Sequence, residues 1–177
     1  LVALGLFQNQ DEINRSPKQT YGEVRPGDIR YKDVNADGKI DDDDIVPIAH
    51  SNVPQIQYGF ALEYRYKRWT ISALFTGAAK VNFLYGGSGF YPFSGGEVGN
   101  ILSIVNDPKN RWTPAWYSGD PSTENPNARF PRLTYGENKN NNRASTFWLA
   151  DGSYLRWKSL DISYRIGTNK VLRTVGI

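Results

Sequence analysis

The 177-residue sequence contains no cysteine, no methionine and one histidine, His50. Without cysteine there is no disulfide framework, no thiol nucleophile and no cysteine-ligated zinc or iron–sulfur centre. Without methionine the chain opens Leu1-Val2-Ala3, which suits an internal segment of a longer polypeptide. No basic start leads into an apolar stretch and a small-residue cleavage site, so no signal peptide is read. Nor is there a run of about 18 apolar residues, which excludes a helical membrane span. A membrane β-barrel stays open, because its strands alternate and average out as polar. Convergent catalytic groups are also missing. His50 sits in a proline-punctuated stretch between Pro47 and Pro54, and Glu97, Glu124 and Glu137 are scattered, without the defined separation a glycosidase pair requires. Gly86-Gly87-Ser88-Gly89 lacks the lysine and the strand–helix context of a phosphate loop. The chain reads as no enzyme.

The formal net charge of +3 conceals an uneven distribution. Residues 28 to 44 hold seven aspartates against Arg30, Lys32 and Lys39, a net −4, while the remainder carries 18 basic residues against 11 acidic. Those basic residues are dispersed rather than gathered in a stripe, so no nucleic-acid partner is expected. Five Trp, 11 Tyr and eight Phe, with 17 Gly and 10 Pro, favour β-structure with long loops.

From Gln55 onward the pattern sharpens. Ile56, Tyr58, Phe60, Leu62, Tyr64 and Tyr66 alternate with Gln57, Gly59, Ala61, Glu63 and Arg65, the period of a strand with one apolar side. Beyond Lys67-Arg68 the alternation resumes as Trp69, Ile71, Ala73 and Phe75. A two-residue connection puts Tyr66 opposite Trp69 and merges the two apolar faces in a hairpin over 55–78. Lys-Arg lacks the Asn or Gly that primed turns prefer, so the turn type stays open. Leu160, Ile162, Tyr164 and Ile166 mark a further strand over 153–166. Leu155 and Trp157 fall on the other parity, which predicts a bulge near Lys158-Ser159. A strand of about 12 residues exceeds the usual soluble length and approaches a spanning strand. Tyr64, Tyr66 and Trp69 cluster at the turn end, as an interfacial aromatic girdle would. Between the strands, residues 86–150 are rich in Gly, Pro and Asn and read as one long loop. Trp112, Trp116 and Tyr117 within it are expected to pack that loop rather than to hold a ligand.

The aspartate segment Asp33-Val34-Asn35-Ala36-Asp37-Gly38-Lys39-Ile40-Asp41-Asp42-Asp43-Asp44 has the layout of a twelve-residue calcium loop spanning 33–44. Side-chain oxygens of Asp33, Asn35, Asp37, Asp41 and Asp44 fall at loop positions 1, 3, 5, 9 and 12. Gly38 provides the sharp turn, and the Lys39 carbonyl serves at position 7. These six residues are the candidate ligands of a structural Ca²⁺. Unpaired, the acids would repel one another, and a cation would relieve them. No second loop is present, so neither a paired EF-hand sensor nor a dockerin fits.

Gly5-Leu6-Phe7-Gln8, the run Pro26-Gly27-Asp28-Ile29-Arg30-Tyr31-Lys32 leading into the aspartate loop, Tyr58-Gly59-Phe60 and Ala150-Asp151-Gly152-Ser153-Tyr154-Leu155-Arg156-Trp157-Lys158 together resemble the C-terminal barrel region of SusC/RagA-family TonB-dependent outer-membrane transporters. The resemblance runs in family order through most of the chain and is weakest across 86–145. It implies an all-β fold: antiparallel strands belonging to the C-terminal part of a 22-stranded transmembrane barrel with long extracellular loops. Residues 1–177 would then be part of a receptor barrel domain. It further implies a bacterial outer-membrane location in Bacteroidetes-type organisms, and import of oligosaccharides or peptides. The implied partners are outer-membrane lipid, a SusD-like surface lipoprotein and, through an N-terminal plug and TonB box not present in the sequence, TonB–ExbBD. Short turns of such barrels face the periplasm, which puts Lys67-Arg68 there and the calcium loop and 86–150 outside. The competing reading is a soluble, calcium-stabilised extracellular β-domain for glycan binding or adhesion.

Overall fold

The computed structural model describes residues 1–96 and 99–166. Glu97 and Val171–Ile177 lie outside the described residues. Regular structure is mainly strand: β1 (Ala3–Leu6), β2 (Lys18–Gln19), β3 (Ile29–Tyr31), β4 (Lys39–Ile40), β5 (Ile56–Tyr66), β6 (Trp69–Ala79), β7 (Asn82–Leu84), β8 (Leu149–Asp151) and β9 (Tyr154–Tyr164). The α-helices are short: α1 (Gln10–Arg15), α2 (Ser103–Asn106) and α3 (Ala115–Ser118). Among the described residues no helix is long and apolar enough to cross a membrane. The strands form four open sheets, β1-β3, β2-β4, β5-β6-β9 and β7-β8, and no closed barrel among the described residues.

The chain divides into two units. The first comprises Leu1–Ala49 and Phe83–Ala150, the second His50–Asn82 and Asp151–Ile177. In the first unit Leu1, Leu6, Ile29, Tyr31, Ile40, Val105, Trp112, Ala128, Phe130 and Trp148 form one buried cluster. The stretch 86–150 therefore supplies half of a core, where the sequence suggested a long loop. Each buried aromatic there contributes about 1.5–3 kcal/mol relative to exposure. Helix α1 was missed as well. Asn9 caps it by accepting from the Glu12 amide at 2.9 Å, and the Glu12 carboxylate accepts from the Gln8 amide at 2.7 Å. The Asn-x-x-Glu spacing is a capping signal legible in hindsight.

A polar network threads this core. Asp28 is fully buried, and its carboxylate accepts a hydrogen bond from Arg132 Nη2 at 2.9 Å, with Arg132 Nε also at ion-pair distance, 2.9 Å. It also accepts from the side-chain amides of Asn138 (3.0 Å) and Asn141 (2.8 Å) and from the Arg25 backbone (2.8 Å). An ion this deep is tolerated only when paired and hydrogen-bonded on this scale. Three side-chain amides then line the edge of β3 that β1 does not pair. Gln19 Oε1 accepts from the Tyr31 amide at 2.7 Å, and Asn141 Oδ1 from the Ile29 amide at 2.9 Å. The Gln19 and Asn140 side chains both donate to the Ile29 carbonyl. Backbone groups that would otherwise need a neighbouring strand are thereby satisfied. Gly27 makes the preceding turn at φ +89°, beneath the Trp112 indole and Arg132, where any Cβ would collide.

The second unit is built on the sheet β5-β6-β9. β5 and β6 pair antiparallel in unbroken register from Ile56↔Ala79 to Tyr66↔Trp69, and β9 pairs antiparallel with β6 from Trp69↔Tyr164 to Ala78↔Tyr154. The register slips once: Leu74 faces Ser159 and Phe75 faces Trp157, so Lys158 is the extra residue of a bulge. That slip reverses the parity of β9 and brings Leu155 and Trp157 onto the same face as Leu160, Ile162 and Tyr164. At the hairpin turn Lys67 has φ +54°, the left-handed first position of a primed turn, despite not being glycine.

Candidate functional site

The apolar face of β5-β6-β9 is the first functional surface. Ile56, Tyr58, Phe60, Leu62, Tyr64, Tyr66, Trp69, Ile71, Leu155, Trp157, Leu160, Ile162 and Tyr164 share it by register, and all are exposed. Phe60, Phe75 and Trp157 make an aromatic rung across the three strands, with centroids 5.0 and 6.3 Å apart. At the turn end Trp69 packs on Tyr164 at 4.8 Å beside Tyr66 and Tyr64. Toward the other end Tyr58 lies over Gly77, whose missing Cβ leaves room for its ring, and donates its hydroxyl to the Tyr154 carbonyl at 3.0 Å. The opposite face carries Gln57, Glu63, Arg65, Thr70, Ser72, Arg156, Asp161 and Ser163, with Glu63 and Arg65 in an ion pair. Aromatics thus lie toward both ends of the sheet, with Leu62, Ile71, Leu160 and Ile162 between them, and polar groups behind. Strands of 11 residues match the length that crosses a bilayer when tilted.

The second site is the aspartate loop. Asp33 Oδ1 accepts from the Ala36 amide at 2.6 Å and its Oδ2 from the Gly38 amide at 2.8 Å, which curls the loop around Gly38 at φ +86°. Asn35 is exposed, and its Oδ1 accepts from the Asp37 amide at 3.1 Å. Asp44 is fully buried and accepts from Val34 N at 2.6 Å and Asp41 N at 3.1 Å. The acids are not left unpaired, as the sequence suggested. The Lys39 ammonium bridges Asp37 and Asp41, and Arg143 and the Tyr21 hydroxyl reach Asp42. The hydrogen bond from Lys39 holds the Asp41 carboxyl below the usual range. Burial, with the hydrogen bond to Asp42 adding to it, pushes the Tyr21 phenol up to about 12. Among the described residues no group of three or more His, Cys, Asp or Glu side chains is placed to hold a metal ion. The six candidate ligands are gathered on one short loop, with Asp33 and Asp44 turned to backbone amides.

The third site was not foreseen. A cleft of about 850 Å³ opens in the first unit, lined by Trp116, Tyr117, Tyr135, Phe93, Arg25 and Arg132 among others. Helix α3 carries Trp116 and Tyr117 on a single turn fixed at both ends. Glu124 accepts from the Ala115 amide at 2.8 Å, and Gly119, at φ +73°, closes the C-terminus by donating to the Ala115 carbonyl at 2.8 Å. Thr113 and Thr123 clamp the turn through paired bonds, Thr113 N to Thr123 O and Thr123 Oγ1 to Thr113 O, both 2.9 Å. Of the three loop aromatics expected to pack, Trp112 does, at 3% exposure, and Trp116 and Tyr117 do not, at 84% and 64%. Trp112 inserts into the core because Gly27 leaves space for its indole. Trp116 and Tyr117 sit on the far side of the clamped turn. Glu124 serves as a helix cap, and His50 is exposed, its backbone amide donating to Asn82.

No protein-family model matches the chain. It is similar to the TonB-dependent receptor P26 of Formosa agariphila, with 27% identity over 168 residues, which cover 95% of this chain and 15% of that protein. The chain therefore spans about one-seventh of the length of the curated relative it matches. The likeness is to one part of a TonB-dependent receptor, and the β-rich fold accords with it.

Proposed function

We propose that this chain is a segment of the β-barrel of a TonB-dependent outer-membrane transporter of the SusC/RagA type. In this reading β5, β6 and β9 are spanning strands whose apolar face meets lipid. The observation that carries it is the coincidence of all three strands' apolar residues on one exposed face, achieved in β9 only through the bulge at Lys158. The free outer edges of β5 and β9 among the described residues are where further strands would extend the sheet. A soluble adhesion domain would instead leave that face in water. The calcium loop and residues 86–150 belong outside the cell, and the Lys67-Arg68 turn belongs in the periplasm. The imported substrate is an oligosaccharide or peptide, delivered with a SusD-like lipoprotein and driven through TonB–ExbBD.

Single cysteines in the intact receptor test the assignment, since this segment contributes no thiol of its own. Leu62→Cys should react with a lipid-phase reagent and resist a membrane-impermeant one, with Glu63→Cys showing the reverse. Equal reaction of both with the aqueous reagent would sink the lipid-facing assignment.

Calcium is proposed for the loop 33–44, through Asp33, Asn35, Asp37, the Lys39 carbonyl, Asp41 and Asp44. An all-oxygen donor set suits a hard cation, and the Lys39 ammonium already marks a preference for positive charge between Asp37 and Asp41. Calorimetric titration of the receptor should show Ca²⁺ binding that Asp33→Ala abolishes. Identical traces for the two would remove the metal.

A further inference from the structure

We infer that Tyr58 and Trp157 set the register of β9 against β6, and so hold the bulge at Lys158 in place. The need for such a device lies in the composition of β6. Beyond Phe75 it offers the apolar face only Gly77 and Ala79, with Thr76 and Ala78 behind. Strand ends with so little side chain specify their pairing weakly and can slip by one residue. The slip open to β9 is the one that absorbs the bulge. Phe75 would then face Lys158 rather than Trp157, and Tyr154 would face Ala79 rather than Ala78. Because side chains alternate, that slip would turn Leu155 and Trp157 to the polar face and bring Arg156 and Lys158 to the apolar one.

Two side-chain bonds belong to the observed register. The Tyr58 ring crosses from β5 over Gly77 of β6, and its hydroxyl donates to the Tyr154 carbonyl of β9 at 3.0 Å. One side chain thus reaches all three strands. A Cβ on Gly77 would collide both with the Tyr58 ring and with that carbonyl oxygen, so the glycine admits the two together. A slip of one residue carries the Tyr154 carbonyl about 3.3 Å along the strand, beyond hydrogen-bonding reach of the phenol. The second bond brackets the bulge itself. Trp157 Nε1 donates to the Ser159 carbonyl at 2.9 Å, across Lys158, while its ring stacks on Phe75. With the extra residue absorbed, Trp157 would lie opposite Thr76, on the other face from Phe75, and the aromatic rung would be lost. A phenol and an indole N–H on an apolar face also need acceptors, and the two carbonyls supply them. Tyr58 and Trp157 are therefore positioning residues, acting through the alignment of the strands.

The test is cross-linking of paired cysteines in the intact receptor with a short thiol-bridging reagent. Thr76→Cys/Arg156→Cys reports the observed register, in which the two positions face each other. Ala79→Cys/Tyr154→Cys reports the slipped one, because in the observed register those side chains lie on opposite faces. With Tyr58 and Trp157 in place, the first pair should bridge and the second should not. Tyr58→Phe keeps the ring and removes the hydroxyl. It should raise the ratio of slipped to observed product by about fivefold, the worth of one hydrogen bond. Tyr58→Phe/Trp157→Phe should raise it further. Tyr64→Phe, which removes a hydroxyl from the same face of β5, should leave the ratio unchanged. An unchanged ratio in both Tyr58 variants, or an equal change in Tyr64→Phe, would overturn the inference. Gly77→Ala gives a second reading, since its Cβ displaces the Tyr58 ring. Complete bridging of Thr76→Cys/Arg156→Cys in that background would overturn the inference as well. These pairs report strand alignment alone, so either result leaves the lipid assignment, tested at Leu62 and Glu63, as it stands.

Discussion

Trp148 and Trp157 lie nine positions apart in the chain and meet opposite fates. Trp148 is 4% exposed, packs against Tyr91, Phe130 and Phe147, and donates its indole N–H to the Asn141 carbonyl at 2.8 Å. Trp157 is 58% exposed on the open face of the β5-β6-β9 sheet. The same contrast separates the two units. The first buries a cluster of apolar side chains together with a carboxylate that accepts from Arg132, Asn138, Asn141 and the Arg25 backbone. The second satisfies its backbone in two long ladders and leaves its apolar side chains facing outward. On the proposed reading the difference is one of solvent, with the apolar face of the second unit covered by lipid.

Substitutions can break this comparison. The largest effect should come from Asp28→Ala, which strips the half-buried Arg132 and Asn138 and the buried Asn141 of their shared acceptor. A loss of about 3–5 kcal/mol is expected, the range for breaking a buried ion pair from one side. It should appear as a lowered denaturation midpoint or failure of the receptor to accumulate. Next come paired arginines on the sheet. Leu62→Arg on the apolar face should cost about 2–4 kcal/mol in the membrane, and Ser72→Arg, on the polar face of the neighbouring strand, well under about 1 kcal/mol. Similar costs for both, measured by unfolding from lipid, would show that the two faces see the same environment. The smallest effect sharpens the picture at the hairpin turn. Lys67→Gly should relieve the left-handed backbone and stabilise by about 0.5–1 kcal/mol, visible as a small rise in unfolding midpoint.

The sheet was the more legible part of the sequence. Strict alternation from Ile56 to Tyr66 is a local signal, and the change of parity between Trp157 and Leu160 announced the bulge. Its turn could not be typed, because Lys67 adopts a conformation that residue identity argues against. The first unit hid its order for the opposite reason. Asn138, Asn140 and Asn141 find their partners at Asp28, Ile29 and Gln19, more than a hundred positions away, and leave no periodic trace. An asparagine run was therefore read as loop. Of the sites, the aspartate loop was visible because its spacing is internal. Lys39 and Arg143 as its counter-charges, and the cleft assembled from three distant stretches, were not.

The amides of Gln19, Asn140 and Asn141 against β3 also bear on assembly. A short strand with a bare edge is a template that any extended chain can copy. Side chains that occupy that edge cannot propagate a ladder, so sheet growth at this position stops. Long bare edges persist among the described residues on β5 and β9, where neighbouring strands of a cylinder would be added. With one edge sealed and the others open, added strands would, on the proposed reading, join the sheet whose apolar face meets lipid.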